Sequence, residues 1–168
     1  HNSRALNVLD SVREFGNWGN PSEGNFQGLS YSDYLNSIQA QIAEISVSPR
    51  GGIRVHKVTC VIDCGLMQNP HIVFQQLRGA IIFGLTSTLM GEINVKDGQI
   101  VQSNFDDYKM IRLKETPEIN IHLIESKEKS GGIGEAGTPL IGPAVANAVF
   151  AATGKRVRRL PIRKEDLS

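Results

Sequence analysis

Ten residues toward the C-terminal end, Ser130-Gly131-Gly132-Ile133-Gly134-Glu135-Ala136-Gly137-Thr138-Pro139, constrain this chain more than any other stretch. They hold four glycines and a single carboxylate. Glycine reaches backbone conformations closed to other residues and lets a neighbouring group come close to the main chain. Directly after them runs Gly142-Pro143-Ala144-Val145-Ala146-Asn147-Ala148-Val149-Phe150-Ala151-Ala152-Thr153-Gly154. Pro143 suits a first helical position and Gly154 the residue just past a helix end, so a helix is expected between them. A helix that is apolar nearly all round is buried, and it would hold the Glu135 loop against the core.

Two readings of Glu135 follow. It is a turn residue that meets free amide groups near the next helix, or it is a carboxylate presented into a site as a general base. Most glycine-rich turns carry no chemistry, so the local residues favour the first.

The rest of the chain supplies a frame for that loop. Leu6, Leu9, Val12 and Phe15 recur at helical spacing. Residues 16–28 read as loop, with Trp18 as a packing anchor, and Gln27 to Tyr31 as the start of a strand. The stretch from Tyr34 to Ala40 fits neither period. Ile42 to Val47 alternates, Pro49-Arg50-Gly51-Gly52 turns, and Ile53 to Ile62 returns, which is a β-hairpin. Its alternation slips near Lys57-Val58, so a bulge or burial on both faces is expected there. Gln68-Asn69-Pro70 opens a long helix, His71 to Met90, with Ile72, Val73, Leu77, Ile81, Leu85 and Leu89 on one face. Gly79 and Gly84 cost that helix about 1 kcal/mol each unless something packs closely on them. Gln75 and Gln76 are half-exposed helix residues, or one of their amides meets a ligand.

Asp97-Gly98 marks a second hairpin across residues 91–101, the clearest in the chain. Phe105 and Tyr108 read as packing residues, and Ile119 to Glu125 as a strand. The basic tail (Lys155, Arg156, Arg158, Arg159, Arg163, Lys164) reads first as solvated and second as a phosphate or partner contact. Element order implies an α+β fold, a mixed sheet with hairpins covered by helices, in one segment spanning residues 1–168.

Composition closes off other classes. A net charge of +1 gives no case for nucleic acid or a membrane surface. The apolar run from Gly79 to Met90 is shorter than the ~20 residues a membrane span needs. Cys60 and Cys64 lie about 13 Å apart along a strand, too far for a disulfide, and read as buried reduced thiols. The four histidines show no metal-ligand spacing.

The residues already quoted resemble the C-terminal part of the molybdopterin-binding large subunit of the xanthine oxidase family of molybdenum hydroxylases. They are most similar to isoquinoline 1-oxidoreductase beta subunits and bacterial aldehyde oxidoreductases. The resemblance rests first on Gly132 to Pro139 with the helix after it, continuing to Lys155-Arg156 and Leu160-Pro161. It rests next on Asp63-Cys64-Gly65 with Asn69-Pro70, Gln76 and Gly79. Asn104-Phe105, Tyr108, Arg112, Glu115 and Pro117 come third, and Trp18, Gly24 and Gly28 also fit. Family sequences often carry glycine at Ala80 and proline at Ala136.

The resemblance implies oxidation of an aldehyde or an N-heteroaromatic carbon, with water as the oxygen source and Glu135 as general base. It implies Gln76, Gly134 and Ala136 as contacts to a molybdenum–pterin cofactor, in the form of a molybdopterin cytosine dinucleotide, and no protein ligand to the metal. Iron–sulfur clusters would sit on a small 2Fe-2S partner subunit, since two cysteines cannot hold one here. The upstream part of the same subunit is the other implied partner, and the compartment is bacterial cytoplasm or periplasm. The chain by itself is expected to be inactive. The alternative is a non-catalytic binding or assembly module of the same fold.

Overall fold

The computed structural model describes residues 3–167. Two short strands, β4 (Val95–Lys96) and β5 (Gln99–Ile100), pair apart from the centre, which is a four-stranded sheet. Strands β1 (Phe26–Tyr34), β2 (Ser37–Val47) and β3 (Ile53–Asp63) are antiparallel neighbours, and β6 (Glu118–Leu123) runs parallel to β3. The stretch that fits neither period in sequence, Tyr34 to Ala40, holds the tight turn from β1 into β2 and the first four residues of β2. Leu35 and Asn36 form that turn with φ of 50° and 61°, the mirror-image turn geometry whose twist suits a two-residue hairpin.

The expected bulge is present, one residue before Lys57. Glu44 pairs with Lys57 but Ile45 pairs with Val55, which leaves His56 as the extra residue.

Helices cover both faces of the sheet. Helix α1 (Ser3–Phe15) lies on one face, where Val8 and Val12 pack on Ile38, Ala40, Ile42 and Val61. Helix α3 (Thr138–Thr153) lies on the other and meets β1 and β2, with α2 (Pro70–Leu89) beside it. There Ala43, Ile45, Val58 and Cys60 pack with Ile81, Leu85, Ala144, Val145 and Ala148. Strand β2 is therefore buried on both sides, and its alternation sends even residues to α1 and odd residues to α3. This is the α+β, helix-covered mixed sheet expected from the element order.

Gly28 sets the distance between β1 and α3. A Cβ there would sit 2.1 Å from the Ala144 carbonyl and 2.2 Å from the Ala148 nitrogen. Gly84 does the same between α2 and α3, where a Cβ would lie 2.5 Å from Ile141. Its helix cost is thus offset by the close approach it permits. Gly79 has nothing within 4 Å, so no packing among the described residues explains it.

Several expectations are corrected. Helix α3 begins at Thr138 rather than Pro143, which lies inside it. Pro139 occupies the early position that tolerates proline, and Pro143 forfeits only the bond to the Pro139 carbonyl near the helix start. Gly154 ends the helix as expected, at φ 72°, donating to the Phe150 carbonyl at 2.8 Å. Leu6 and Ile72 are exposed, so the buried face of α1 runs through Ala5, Val8, Leu9 and Val12. Trp18 is also exposed, and Phe105 is 98% exposed, so neither anchors packing.

The backbone of the basic tail folds back on the body, while Lys155, Arg156, Arg158, Arg159 and Lys164 stay exposed, as expected. Ile162 is buried and donates its N–H to the Thr88 carbonyl at 2.8 Å. Arg163 and Arg159 pair with Glu92, and the Arg156 guanidinium lies 3.5 Å from the centre of the Phe150 ring.

Helix α2, capped by Asn69, which accepts from Ile72 N at 3.2 Å, is long and apolar enough to cross a membrane. Its length and composition are equally those of a core helix, and Leu77, Ile81 and Leu85 are fully buried. Cys60 and Cys64 are buried and free. Burial pushes the Cys60 thiol up to about 12, which makes it a core side chain rather than a nucleophile.

Candidate active site around Glu135

The glycine-rich loop is tied down by side chains from two elements. On the odd face of β2, Ser37 Oγ donates to the Gly132 carbonyl at 2.8 Å, Gln39 Nε2 to the Ala136 carbonyl, and Gln41 Nε2 to the Gly137 carbonyl at 3.0 Å. From α2, Gln76 Nε2 donates to the Gly134 carbonyl. Gly132 N returns a bond to the Leu35 carbonyl at 2.9 Å, and Thr138 N closes a turn on the Glu135 carbonyl at 2.9 Å. The carbonyls on either side of Glu135, those of Gly134 and Ala136, are thus each held by a glutamine amide.

Behind the loop stands an ion pair. Arg4 of α1 grips both carboxylate oxygens of Asp63 at 2.8 and 2.9 Å and donates to the Asn36 carbonyl at 3.2 Å. Asn36 in turn donates to the Lys129 carbonyl. The Arg4 hydrogen bond holds the Asp63 carboxyl below the usual carboxylate range, with Gly65 N helping and burial opposing. Gly131 N to the Cys64 carbonyl at 2.8 Å and Ser130 Oγ to the Leu66 carbonyl at 2.6 Å fasten the same stretch to the end of β3.

Glu135 is exposed at a ridge between two cavities, and Gly134 and Thr138 also line both. One, of about 450 Å³, lies against the β1–β2 turn and is walled by Asp33, Tyr34, Leu35, Gln39 and Pro139. The other, of about 400 Å³, lies against α2 and is walled by Gln76, Gly79, Ala80 and Phe83. Gly79 and Gly134 both leave open space where a side chain would be. The second cavity thus presents bare backbone and a glutamine amide beside the exposed Phe83 ring.

Of the residues singled out in sequence, Gln76, Gly134 and Glu135 come together. Ala136 is buried beside Val73 and Leu77 and lines the first cavity, not the second. Among the described residues no group of three or more His, Cys, Asp or Glu could hold a metal ion. Ser37, Gln39 and Gln41 were not legible as site residues. Their signal, polar side chains at every second position leading into an apolar alternation, becomes readable once β2 is known to start at Ser37. Gln39 and Gln41 are buried with their Oε1 atoms unpartnered.

The profile of the molybdopterin cofactor-binding domain family matches residues 7–117. The chain belongs to that family. It is similar to the isoquinoline 1-oxidoreductase beta subunit of Brevundimonas diminuta, 35% identical over 165 residues, which covers 95% of this chain and 21% of that one. It is also similar to the aldehyde oxidoreductase molybdenum-binding subunit PaoC of Escherichia coli K12, 30% identical over 151 residues, covering 84% of this chain and 21% of that one. Among solved structures, quinoline 2-oxidoreductase from Pseudomonas putida 86 superposes with a TM-score of 0.71 at 28% identity, covering 77% of this chain and 18% of that one. The chain therefore spans about a fifth of the length of these relatives.

Proposed function

We propose that this chain is the C-terminal segment of the molybdopterin-binding subunit of a molybdenum hydroxylase, with Glu135 as the general base. One observation carries the reading. A lone carboxylate stands on a ridge between two cavities, and the carbonyls flanking it are tied by Gln39 and Gln76. A general base works only if it is held within reach of the proton it takes, and loss of about 1 Å of positioning costs about a hundredfold in rate.

The α2 cavity suits a molybdenum–pterin group. Gly79 and Gly134 leave part of its wall without side chains, Ala80 and Phe83 line the rest of the α2 side, and the Gln76 amide has a second N–H beyond the one given to Gly134. The Ala136 backbone supports the ridge from the other side. When bound, the cofactor would supply two-electron redox chemistry with water as the oxygen source. The protein's part is to orient the reacting carbon and to receive a proton at the Glu135 carboxylate. The electrons would leave through iron–sulfur clusters on a small partner subunit. Upstream sequence of the same subunit would complete the pocket, and the substrate would be an aldehyde or an N-heteroaromatic ring.

The test is Glu135→Gln in the complete subunit with its partner. Molybdenum and pterin content should be unchanged, and turnover should fall by about a thousandfold, the middle of the usual range for general-base removal. Retained turnover would place the base elsewhere. The binding-module reading would instead need Arg156, Arg158 and Arg159, which are exposed, and would survive Glu135→Gln.

A further inference from the structure

We propose that the arm between α2 and β6, over residues 93–113, is the docking element through which this chain packs on the rest of its own subunit, with Phe105 as the central knob. This rests on the reading of the chain as one segment of a longer subunit, and not on the role of Glu135.

Apolar surface is concentrated in the arm. Among the described residues seventeen large hydrophobic side chains are exposed, and seven of them fall here, Ile93, Val95, Ile100, Phe105, Met110 and Leu113 included. The stretch is only 21 of the 165 described residues, so this is no even scatter. Val95 and Ile100 pair across the β4–β5 hairpin and therefore share one face.

The arm is also fixed in shape before anything covers it. Asn94 N–H donates to Gln102 Oε1 at 2.7 Å, and Val101 N–H to the Asn94 carbonyl at 2.9 Å, which ties the base of the hairpin. Further on, Phe105 N–H donates to Asn104 Oδ1 at 2.8 Å, and Asp107 Oδ2 accepts from Ser103 N–H at 3.2 Å. Asn104 and Asp107 thus serve the turn, and Phe105 stands out from it, 98% exposed. The root is seated on α2. Tyr108 lies over Gly91, where a Cβ would sit 2.5 Å from Tyr108 Oη, and Ile111 N–H reaches Thr86 Oγ1 at 3.4 Å. A side chain presented by an already bonded backbone loses little freedom on docking, and a buried aromatic is the usual anchor of an interface.

Charge and polarity select the occupant. Within the same residues Lys96, Lys109 and Arg112 offset Asp97, Asp106 and Asp107. The arm therefore has no net charge to steer a diffusing partner or to hold an anionic membrane. Permanent interfaces are the more hydrophobic ones and resemble a core cut in half, whereas a large apolar patch left in water drives association. The chain spans about a fifth of the length of its relatives, so the permanent neighbour is the remaining polypeptide of the same subunit. It would present an apolar pocket to Phe105 and an apolar surface to the Val95–Ile100 face.

Hydroxyl-radical footprinting reads side-chain exposure directly. It is run on the complete subunit, folded and urea-unfolded, with and without its small partner. Labelling of Phe105 and Met110 should be about tenfold or more lower in the folded subunit, since water is excluded from the centre of a packed interface, and the partner should add nothing. Phe105→Asp should restore labelling of Met110, and if that variant misfolds the wild-type labelling still decides. Equal labelling folded and unfolded overturns the proposal. So does protection that needs the small partner, or protection that fades on dilution as a contact between two copies would. Turnover plays no part in this readout, so it stands whatever Glu135→Gln shows. The intact mass of the native subunit tests the segment reading by itself. A native subunit of only 168 residues would overturn that reading and this inference together, and a long subunit with Phe105 fully labelled would overturn this inference alone.

Discussion

Two segments of this chain reverse what their sequences suggest. The 130–137 loop is rich in glycine, yet Ser37, Gln39, Gln41 and Gln76 hold its carbonyls in place. The 91–116 arm carries the clearest hairpin signal in the sequence, yet its strands β4 (Val95–Lys96) and β5 (Gln99–Ile100) are two residues each and wholly exposed. Asp97 and Gly98 do form the expected turn, with φ of 51° and 77°. Local propensity thus decides where the chain turns, and tertiary hydrogen bonds decide which turn is fixed in space. Rigidity has gone to the segment that carries the carboxylate. The arm instead presents Ile93, Val95, Ile100, Phe105 and Leu113 to solvent.

Glycine substitutions should break this contrast most sharply. A Cβ at Gly131 would lie 2.4 Å from Ser37 Oγ and 2.7 Å from the Asn36 backbone. Gly131→Val should therefore displace the turn that anchors the loop and cost about 3 kcal/mol or more, the upper range for forced overpacking. Gly98, in the arm, has nothing within 4 Å and a φ of 77°. Gly98→Ala meets only the left-handed backbone cost, about 1 kcal/mol. Urea denaturation of the two variants measures both, and equal losses would mean that the loop is no more fixed than the arm.

Acid should loosen the loop next. Arg4 holds the folded Asp63 carboxyl below its ordinary value of 3.8. A carboxylate depressed on folding contributes stability that is complete above the unfolded value and is lost as pH falls through the folded one. Amide exchange in residues 128–132 should therefore quicken as pH drops below 3.8, after correction for the intrinsic rate. Protonated Asp63 weakens the grip of Arg4, which also holds Asn36, and Asn36 holds Lys129. In Asp63→Asn the loop should already exchange faster at neutral pH, and the added acid response should vanish. An acid response that survives Asp63→Asn would assign it to another group.

The parts of this fold legible in sequence were those set by nearest neighbours. Alternation in Ile42–Val47, the Asn69-Pro70 helix start and the Gly154 stop each depend on residues a few positions apart. What was not legible depends on partners far along the chain. Ser37, Gln39 and Gln41 carry no readable pattern until α3 covers their face and the loop brings Gly132, Ala136 and Gly137 to them. Pro143 looks like a helix start until Pro139 takes that place. The tail looks solvated along its whole length until Ile162 is seen packing near the end of α2, on the Thr88 carbonyl. Gln76 and Glu135 were linked beforehand by resemblance alone. Their meeting through the Gly134 carbonyl is a contact across 58 positions that no local pattern encodes.

The smallest effect on folding should come from the arm's own apolar residues. Phe105 is 98% and Leu113 92% exposed, so replacing both by serine removes almost no burial within this chain. Phe105→Ser with Leu113→Ser should shift unfolding by no more than about 0.5 kcal/mol, the usual range for surface changes. The same pair of changes should reduce self-association of the isolated chain, measured by sedimentation, because exposed apolar residues drive non-specific contact. In the complete subunit the outcome should invert. If the arm docks on the remainder of the subunit, the two serines will lower its thermal midpoint while leaving the isolated chain's unchanged. Equal indifference in both settings would mean that the arm stays exposed. A loss of stability in the isolated chain would mean that its packing extends further than its surface exposure indicates.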